Sequence, residues 1–173
     1  GGSRGARRIN VAVSGALADL LPTCQIIHIT GQQDAATMRG ERDALAPELR
    51  RRYRPYSFLH EDMASALAAA DLIVCRAGAS VLGEIPAAGL AAVLIPYAGG
   101  HRDQQQNAAF LEGKGAAVHV DDAALSPEVL EETIGGILGD PVRLAAMRRA
   151  AASLARPDAA AIIASEVTAL ARR

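Results

Sequence analysis

Short runs of apolar, β-branched-rich residues alternate along the chain with longer Ala/Leu-rich runs at helical spacing. That alternation predicts an α/β fold, a parallel sheet flanked by helices. Five strands are predicted, at Gln25–Thr30, Arg54–Leu59, Leu72–Arg76, Ala92–Tyr97 and Ala116–Val120. Helices are predicted over Ala6–Leu21, Asp34–Arg52, Asp62–Ala70, Ser80–Ala88 and Asp103–Glu112, with Pro47 and Pro86 expected to break or kink the second and fourth. Beyond Asp121 the pattern turns all helical. Ser126–Leu138 opens on Ser-Pro, Asp140–Ala155 on Asp-Pro, and Pro157–Arg172 follows a further proline, which are good helix starts. No internal repeat or linker interrupts the pattern, so residues 1–173 read as one domain.

The N-terminal residues stand apart. Gly1-Gly2-Ser3-Arg4-Gly5-Ala6 is a glycine-rich turn leading into a helix. Such a turn normally follows a strand, because its glycines let the chain reverse sharply and bring backbone N–H groups close to a phosphate. At least one strand is therefore expected ahead of residue 1.

Composition narrows the function classes. Lys plus Arg (18) nearly balance Asp plus Glu (19), and aromatics make up only 3%, so neither the electrostatic field nor the stacking platforms of a nucleic-acid binder are present. Cys24 and Cys75 lie far apart without metal-ligand spacing, which favours a reduced, cytoplasmic setting. No apolar run reaches the roughly 18 residues that span a bilayer. The four histidines form no HExxH or Ser/His/Asp pattern, so zinc and serine hydrolases lack support.

In an open parallel sheet ligands lie outside the carboxyl ends of the strands, which makes the strand-to-helix turns the candidate chemistry. Ser3 and the helix start beside it can hold a phosphate, or form a plain tight turn. Arg76-Ala77-Gly78-Ala79-Ser80 leaves room at a helix start, and Glu84 follows in the first turns. That carboxylate suits a vicinal diol such as ribose O2′ and O3′, or simply favours the helix N-terminus. Gln104-Gln105-Gln106-Asn107 concentrates amides that match sugar hydroxyls, although solvated surface is the commoner reason for any one glutamine. Leu59-His60-Glu61-Asp62 can line a base pocket or cap a helix. His28 and His119 are expected as packed or hydrogen-bonded groups within strands, and His101 sits in a loop facing the site.

Taken in order, GGSRGARRIN at 1–10, HITGQ at 28–32, FLHEDM at 58–63, ADLIVCRAGASVLGE at 70–84, PAAGLAAVLIPY at 86–97 and DQQQNAAFLEGKGAA at 103–117 resemble the C-terminal domain of the MurG family. Members of that family transfer N-acetylglucosamine from UDP-N-acetylglucosamine to a lipid-linked muramoyl-pentapeptide in peptidoglycan synthesis. The resemblance covers nearly the whole chain. It implies the donor-binding C-terminal half of a GT-B glycosyltransferase, two Rossmann-like domains facing across a cleft, with the acceptor domain and the general base elsewhere. It further implies that Ser3 holds a diphosphate oxygen, that Ala79 and Ser80 offer helix-start contacts to the nucleotide, and that Glu84 grips the ribose. Leu59, or His60 if the register shifts by one, would set backbone groups against the uracil edge, and Gln104 would bind hydroxyls of the N-acetylglucosamine. Charge on the departing diphosphate would be met by Ser3, helix N-termini and Arg76. No cofactor and no tightly held metal are implied in this domain, and no Asp-x-Asp motif occurs. The location implied is cytoplasmic, at the inner face of the cell membrane. Asp103 stands where the family usually shows His or Gln, and Ala91 replaces the proline usual in its turn.

Two alternatives remain at this level: a stand-alone donor-binding subunit acting with a separate acceptor-binding partner, and another UDP-sugar enzyme of the same fold. A dinucleotide oxidoreductase is more distant, since Thr30 rather than Asp or Glu closes the first predicted strand.

Overall fold

The computed structural model describes residues 6–99 and 102–172. Strands and helices alternate from α1 (Arg7–Leu20) through β1 (Ile26–Ile29), α2 (Ala35–Ala44), α3 (Pro47–Arg50), β2 (Tyr53–Tyr56), α4 (Met63–Ala69), β3 (Leu72–Cys75), α5 (Val81–Ala88), β4 (Ala91–Leu94), α6 (Arg102–Gly113) and β5 (Ala117–His119). Three further helices follow, α7 (Pro127–Leu138), α8 (Pro141–Ser153) and α9 (Ala159–Ala171). All five predicted strands form, each shorter than its apolar run. The largest differences are in β2 and β4, which each begin one residue early and stop three residues short; β2 stops at Tyr56, so Leu59 lies beyond the strand in the loop before α4.

Every pairing is parallel. Among the described residues, however, the strands make two sheets, β1-β2 and β3-β4-β5, where the sequence pattern predicts one. Ile26 to Ile29 lie opposite Tyr53 to Tyr56, and Val74 and Val93 are register partners in the second sheet. Strand β4 is buried at all four positions, as its central place between β3 and β5 requires.

One apolar cluster underlies both sheets. The buried stripe of α1 (Ile9, Ala12, Val13, Ala16, Leu17 and Leu20) and Leu130, Ile134 and Ile137 of α7 meet Tyr53 of β2 and Ala91 and Val93 of β4. Ile26 of β1 and Leu72 and Val74 of β3 pack against the same cluster. On the opposite face, α5, α6 and α8 close a second cluster around Ile85, Leu94, Leu111 and Ala151. The α1–α7 contact is close enough that a Cβ at Gly15 would lie 2.5 Å from Cγ of Pro127.

The caps follow the sequence signals. Ser126 Oγ accepts from Val129 N–H, and Asp140 Oδ1 accepts from the N–H groups of Val142 and Arg143, each ahead of an N1 proline. Pro47 splits the predicted second helix into α2 and α3. Pro86 does not end α5. The acceptor its missing N–H would have engaged is the carbonyl of Leu82.

Candidate ligand crevice at the carboxyl ends of the strands

The first turns of α1 join the two sheets. Asn10 is buried, and its Nδ2 donates to the Thr30 carbonyl (2.8 Å) and to Asp34 Oδ2 (2.7 Å), both just past β1. With both amide hydrogens so used, Asn10 Oδ1 can only accept, which makes His28 Nε2 the donor across 2.9 Å. His28 Nδ1 is then an acceptor and takes the Tyr53 hydroxyl hydrogen at 2.8 Å. The imidazole is held neutral: burial is the main cause, and it lowers the pKa from its ordinary value near 6.5 to about 4. Burial likewise pushes the Tyr53 phenol up. His28 is thus the packed, hydrogen-bonded strand residue that the sequence leads one to expect.

Two residues earlier, Arg8 reaches the other sheet. Its Nη2 donates to the Asp122 backbone carbonyl at 2.5 Å, and its Nε lies 3.5 Å from Asp122 Oδ1. Asp122, just after β5, also accepts from Arg76 Nη1 at 2.6 Å, and Arg76 extends to the carbonyls of Ile95 (3.1 Å) and Pro96 (3.5 Å). The Arg76 and Asp122 side chains are only 11% and 5% exposed, so this pair is largely withdrawn from water. Arg76, a sequence candidate for diphosphate charge, is therefore committed to Asp122 and the β4 end. Its remaining guanidinium surface lies over the Tyr97 ring, 5.4 Å from the centroid.

Because α1 touches the end of β1 through Asn10 and the end of β5 through Arg8, and Asp122 carries the link on to Arg76 after β3, its start lies at the crevice between the two sheets. In open α/β sheets that is where ligands bind. Ser3 lies outside the described residues, as does His101.

The turn after β3 keeps its helix start bare. Ser80 occupies the N-cap of α5, but its hydroxyl makes no capping hydrogen bond, and Ala79 and Ser80 are exposed. A Cβ at Gly78 would meet nothing within 4 Å, so the space in front of this helix is open. Glu84 is exposed one turn beyond Ser80, which puts both on the same face of α5.

After β4, Gln104 is held by its own turn: its Oε1 accepts from Tyr97 N–H at 2.9 Å. The orientation is thereby settled, and the Gln104 NH₂ group is left to donate outward. Asn107 Nδ2 donates to the Ala77 carbonyl at 2.9 Å and binds the α6 turn to the α5 turn. Asp103 is exposed in the first turn of α6.

Leu59 is 8% exposed and lines a shallow groove of about 240 Å³ with Ile27, Tyr56, Asp62 and Ala66. His60 points elsewhere, its ring 4.7 Å from that of Phe58. The α5 and α6 turns are therefore bound to each other, while Leu59 sits in a separate groove. Asn10 and Asp122 were not found by sequence reasoning. Asn10 carried a signal, as a polar residue on the apolar stripe of α1; Asp122 carried none beyond its place at a strand end. Among the described residues no cluster of three His, Cys, Asp or Glu is arranged to hold a metal, and no helix is long and apolar enough to cross a membrane.

Parallel strands, bare helix starts at their carboxyl ends and a helix seated over the change of strand order define a Rossmann-like ligand-binding domain. A family model described as the glycosyltransferase family 28 C-terminal domain matches residues 1–163, and the chain belongs to that family. A relative from Roseiflexus sp. (strain RS-1), named UDP-N-acetylglucosamine--N-acetylmuramyl-(pentapeptide) pyrophosphoryl-undecaprenol N-acetylglucosamine transferase, is 44% identical over 92% of this chain and 40% of its own length. A protein of the same name from Mycobacterium tuberculosis (strain ATCC 25618 / H37Rv) is 40% identical over 99% of this chain and 40% of its own length. The crystal structure of Acinetobacter baumannii MurG superposes with a TM-score of 0.81 at 34% identity, covering 97% of this chain and 48% of that one. The glycotransferase of kitacinnamycin (TM-score 0.64, 22% identity, 93% of this chain and 39% of that one) shares the fold. The chain thus spans about two fifths of the length of these curated relatives.

Proposed function

We propose that residues 1–173 form the donor-binding domain of a glycosyltransferase that moves N-acetylglucosamine from UDP-N-acetylglucosamine to a lipid-linked muramoyl-pentapeptide, at the inner face of the cell membrane. The observation that carries this reading is the paired arrangement of the α5 and α6 turns. A bare helix start, a carboxylate one turn on and an amide whose carbonyl is already satisfied face open space at the carboxyl ends of β3 and β4. The names of the relatives supply the sugar and the acceptor.

The chemistry assigned to each group follows from its bonding. The Ser80 hydroxyl, which does not cap its own helix, donates to a diphosphate with the positive end of the helix dipole behind it, while the N–H groups of Val81, Leu82 and Gly83 already serve the carbonyls of Gly78, Ala79 and Ser80. Glu84 accepts from both hydroxyls of a ribose diol, and Gln104 donates to sugar oxygens through its outward NH₂. Backbone groups at Leu59, or at His60, are assigned to the uracil edge. Ser3 is assigned to the diphosphate by its place ahead of α1.

In an inverting displacement the acceptor hydroxyl attacks the anomeric carbon while UDP departs. The Ser80 hydroxyl and the helix dipole at the α5 start meet the charge that develops on the leaving diphosphate, where fixed dipoles act without reorganising. A base must take the hydroxyl proton as the new bond forms, and that task is assigned to the acceptor-binding part of the longer protein.

Calorimetry with UDP-N-acetylglucosamine, UDP-glucose and UDP-galactose tests the donor. Tighter binding of the first is expected, with Glu84→Ala weakening all three by about tenfold or more through loss of a charge-assisted hydrogen-bond pair. Equal affinity for the three sugars, or none for any, would overturn the assignment.

A further inference from the structure

The end of β4 changes character at one residue. Leu94, Ile95 and Pro96 are buried, whereas Tyr97, the next along, is 49% exposed. An aromatic side chain half in water gains little from burial, so its place is set by what touches it.

Arg76 lies over the ring, its Cζ 5.4 Å from the centroid, where a cation meets the negative face of the aromatic system. That guanidinium is itself fixed, bonded to Asp122 Oδ1 and to the carbonyls of Ile95 and Pro96. The two carbonyls belong to the residues just before Tyr97, so one cation grips both the backbone that delivers the ring and the ring itself. At the hydroxyl end Gly99 closes in. A Cβ there would lie 3.1 Å from Cε1, 3.2 Å from Cζ and 3.3 Å from Oη of Tyr97, tighter than ordinary contact against a rigid ring. Glycine at 99 is what lets the turn after β4 come down onto the phenol.

The same residue aims Gln104. Tyr97 N–H donates to Gln104 Oε1, which leaves the NH₂ group outward, so any movement of Tyr97 with its turn carries that amide along. Asn107 binds the α6 turn to the α5 turn through the Ala77 carbonyl. We propose that Tyr97 is a positioning residue for the sugar: its ring, held by Arg76 and Gly99, fixes the turn after β4 where the Gln104 NH₂ meets sugar hydroxyls. The proposal rests on the donor reading above and adds a residue to which that reading assigns no contact. Its consequence is that affinity for the sugar and affinity for the nucleotide come apart at this one side chain.

The test compares UDP-N-acetylglucosamine with UDP, which lacks the sugar, by calorimetry on the full-length protein. Tyr97→Leu removes the flat face that Arg76 covers; it should weaken UDP-N-acetylglucosamine about five- to tenfold and leave UDP within about twofold. Tyr97→Phe keeps the face and should restore the sugar preference. Gly99→Ala should weaken the sugar nucleotide when Tyr97 is present and add nothing in Tyr97→Leu, which lacks the atoms the new methyl would strike. Without ligand, the amide of residue 97 should exchange about tenfold faster in Tyr97→Leu than in Tyr97→Phe, because the turn no longer holds it against Gln104. Equal loss of both ligands in Tyr97→Leu, loss of neither, or equal exchange in the two variants overturns the proposal and leaves the donor reading standing. Equal binding of UDP and UDP-N-acetylglucosamine by the unsubstituted protein overturns the donor reading, and the proposal with it.

Discussion

Removing the carboxylate of Asp122 should destabilise the protein by more than any surface ion pair could. Asp122 is 5% exposed and lies between Arg76, which is 11% exposed, and Arg8, which is about half exposed. Breaking a buried pair from one side costs about 3–5 kcal/mol, because the other charge stays behind in low dielectric. Here Arg76 keeps the carbonyls of Ile95 and Pro96, and Arg8 can rehydrate, so the cost falls to the lower end of that range or just below it. For Asp122→Ala this gives a loss of about 2–3 kcal/mol. At this chain length that corresponds to a melting point lowered by roughly 4–12 °C.

Arg76→Met alone should cost a similar amount, since it strands Asp122 with Arg8 only. The double variant removes both charges from the interior, and the Met side chain keeps the apolar bulk of the arginine stem. It should therefore lose no more than either single variant, an interaction energy of at least about 2 kcal/mol in the cycle. Urea titration with linear extrapolation measures all three, and unchanged m-values show that the same cooperative unit is compared. If the double variant equals the sum of the singles to within about 0.5 kcal/mol, Arg76 and Asp122 do not act as a pair and the account of the crevice frame is wrong.

Three other predictions follow from the same contacts. His28 has a folded pKa depressed to about 4 against an ordinary value near 6.5, so between those values the unfolded chain binds the extra proton; stability is complete above about pH 6.5 and falls as pH drops toward 4, by roughly 3 kcal/mol at most. Urea unfolding at pH 7 and pH 4.5 should show a pH dependence that His28→Gln reduces, and an undiminished slope in that variant would assign it to other groups. Gly15→Ala should cost about 1 kcal/mol net, since overpacking against Cγ and Cβ of Pro127 outweighs the gain in helix propensity, whereas in a Pro127→Gly background, which removes both atoms, the same change should stabilise by about as much. Thermal melts of the four proteins decide it, and destabilisation in both backgrounds would count against the clash. Gln104→Glu leaves the acceptor for Tyr97 N–H but removes the outward donors, so it should weaken sugar-nucleotide binding by tenfold or more while leaving the melting point within a few degrees; unchanged affinity by calorimetry would remove Gln104 from the site.

The elements were legible in the sequence because each is set locally. Apolar runs bounded by turn residues mark β1 to β5, and Ser126-Pro127 and Asp140-Pro141 mark α7 and α8 by satisfying the first N–H groups of each helix. Pro86 lies inside α5, which continues through it to the predicted end at Ala88. The bonds that hold the crevice are of another kind. Arg8 and Asp122 are 114 residues apart, and Arg76 and Asp122 are 46 apart. No periodicity carries such pairings; only the common rule that charged residues at strand ends meet at one end of a parallel sheet makes them plausible.

The split into two sheets was equally invisible, because strand order is a property of edges rather than of runs. It also explains why α1 carries so much of the polar architecture. A helix lying over two sheets whose strands do not pair has no single ladder to align against. The Asn10–His28–Tyr53 chain fixes it to β1 and β2, while Arg8 fixes it to Asp122 after β5, which in turn holds Arg76 after β3. These two anchors sit within one turn of each other at the crevice. A shift of one sheet relative to the other must then move the α1 start, and the ligand donors that the family resemblance puts there would move with it. Asn10→Ala tests the coupling. It should loosen β1 and β2 against the rest and weaken nucleotide binding together, although Asn10 is buried and its side chain is bonded to Thr30, Asp34 and His28. Loss of stability with undiminished affinity in the folded fraction would show that the α1 anchors hold the core without setting the site.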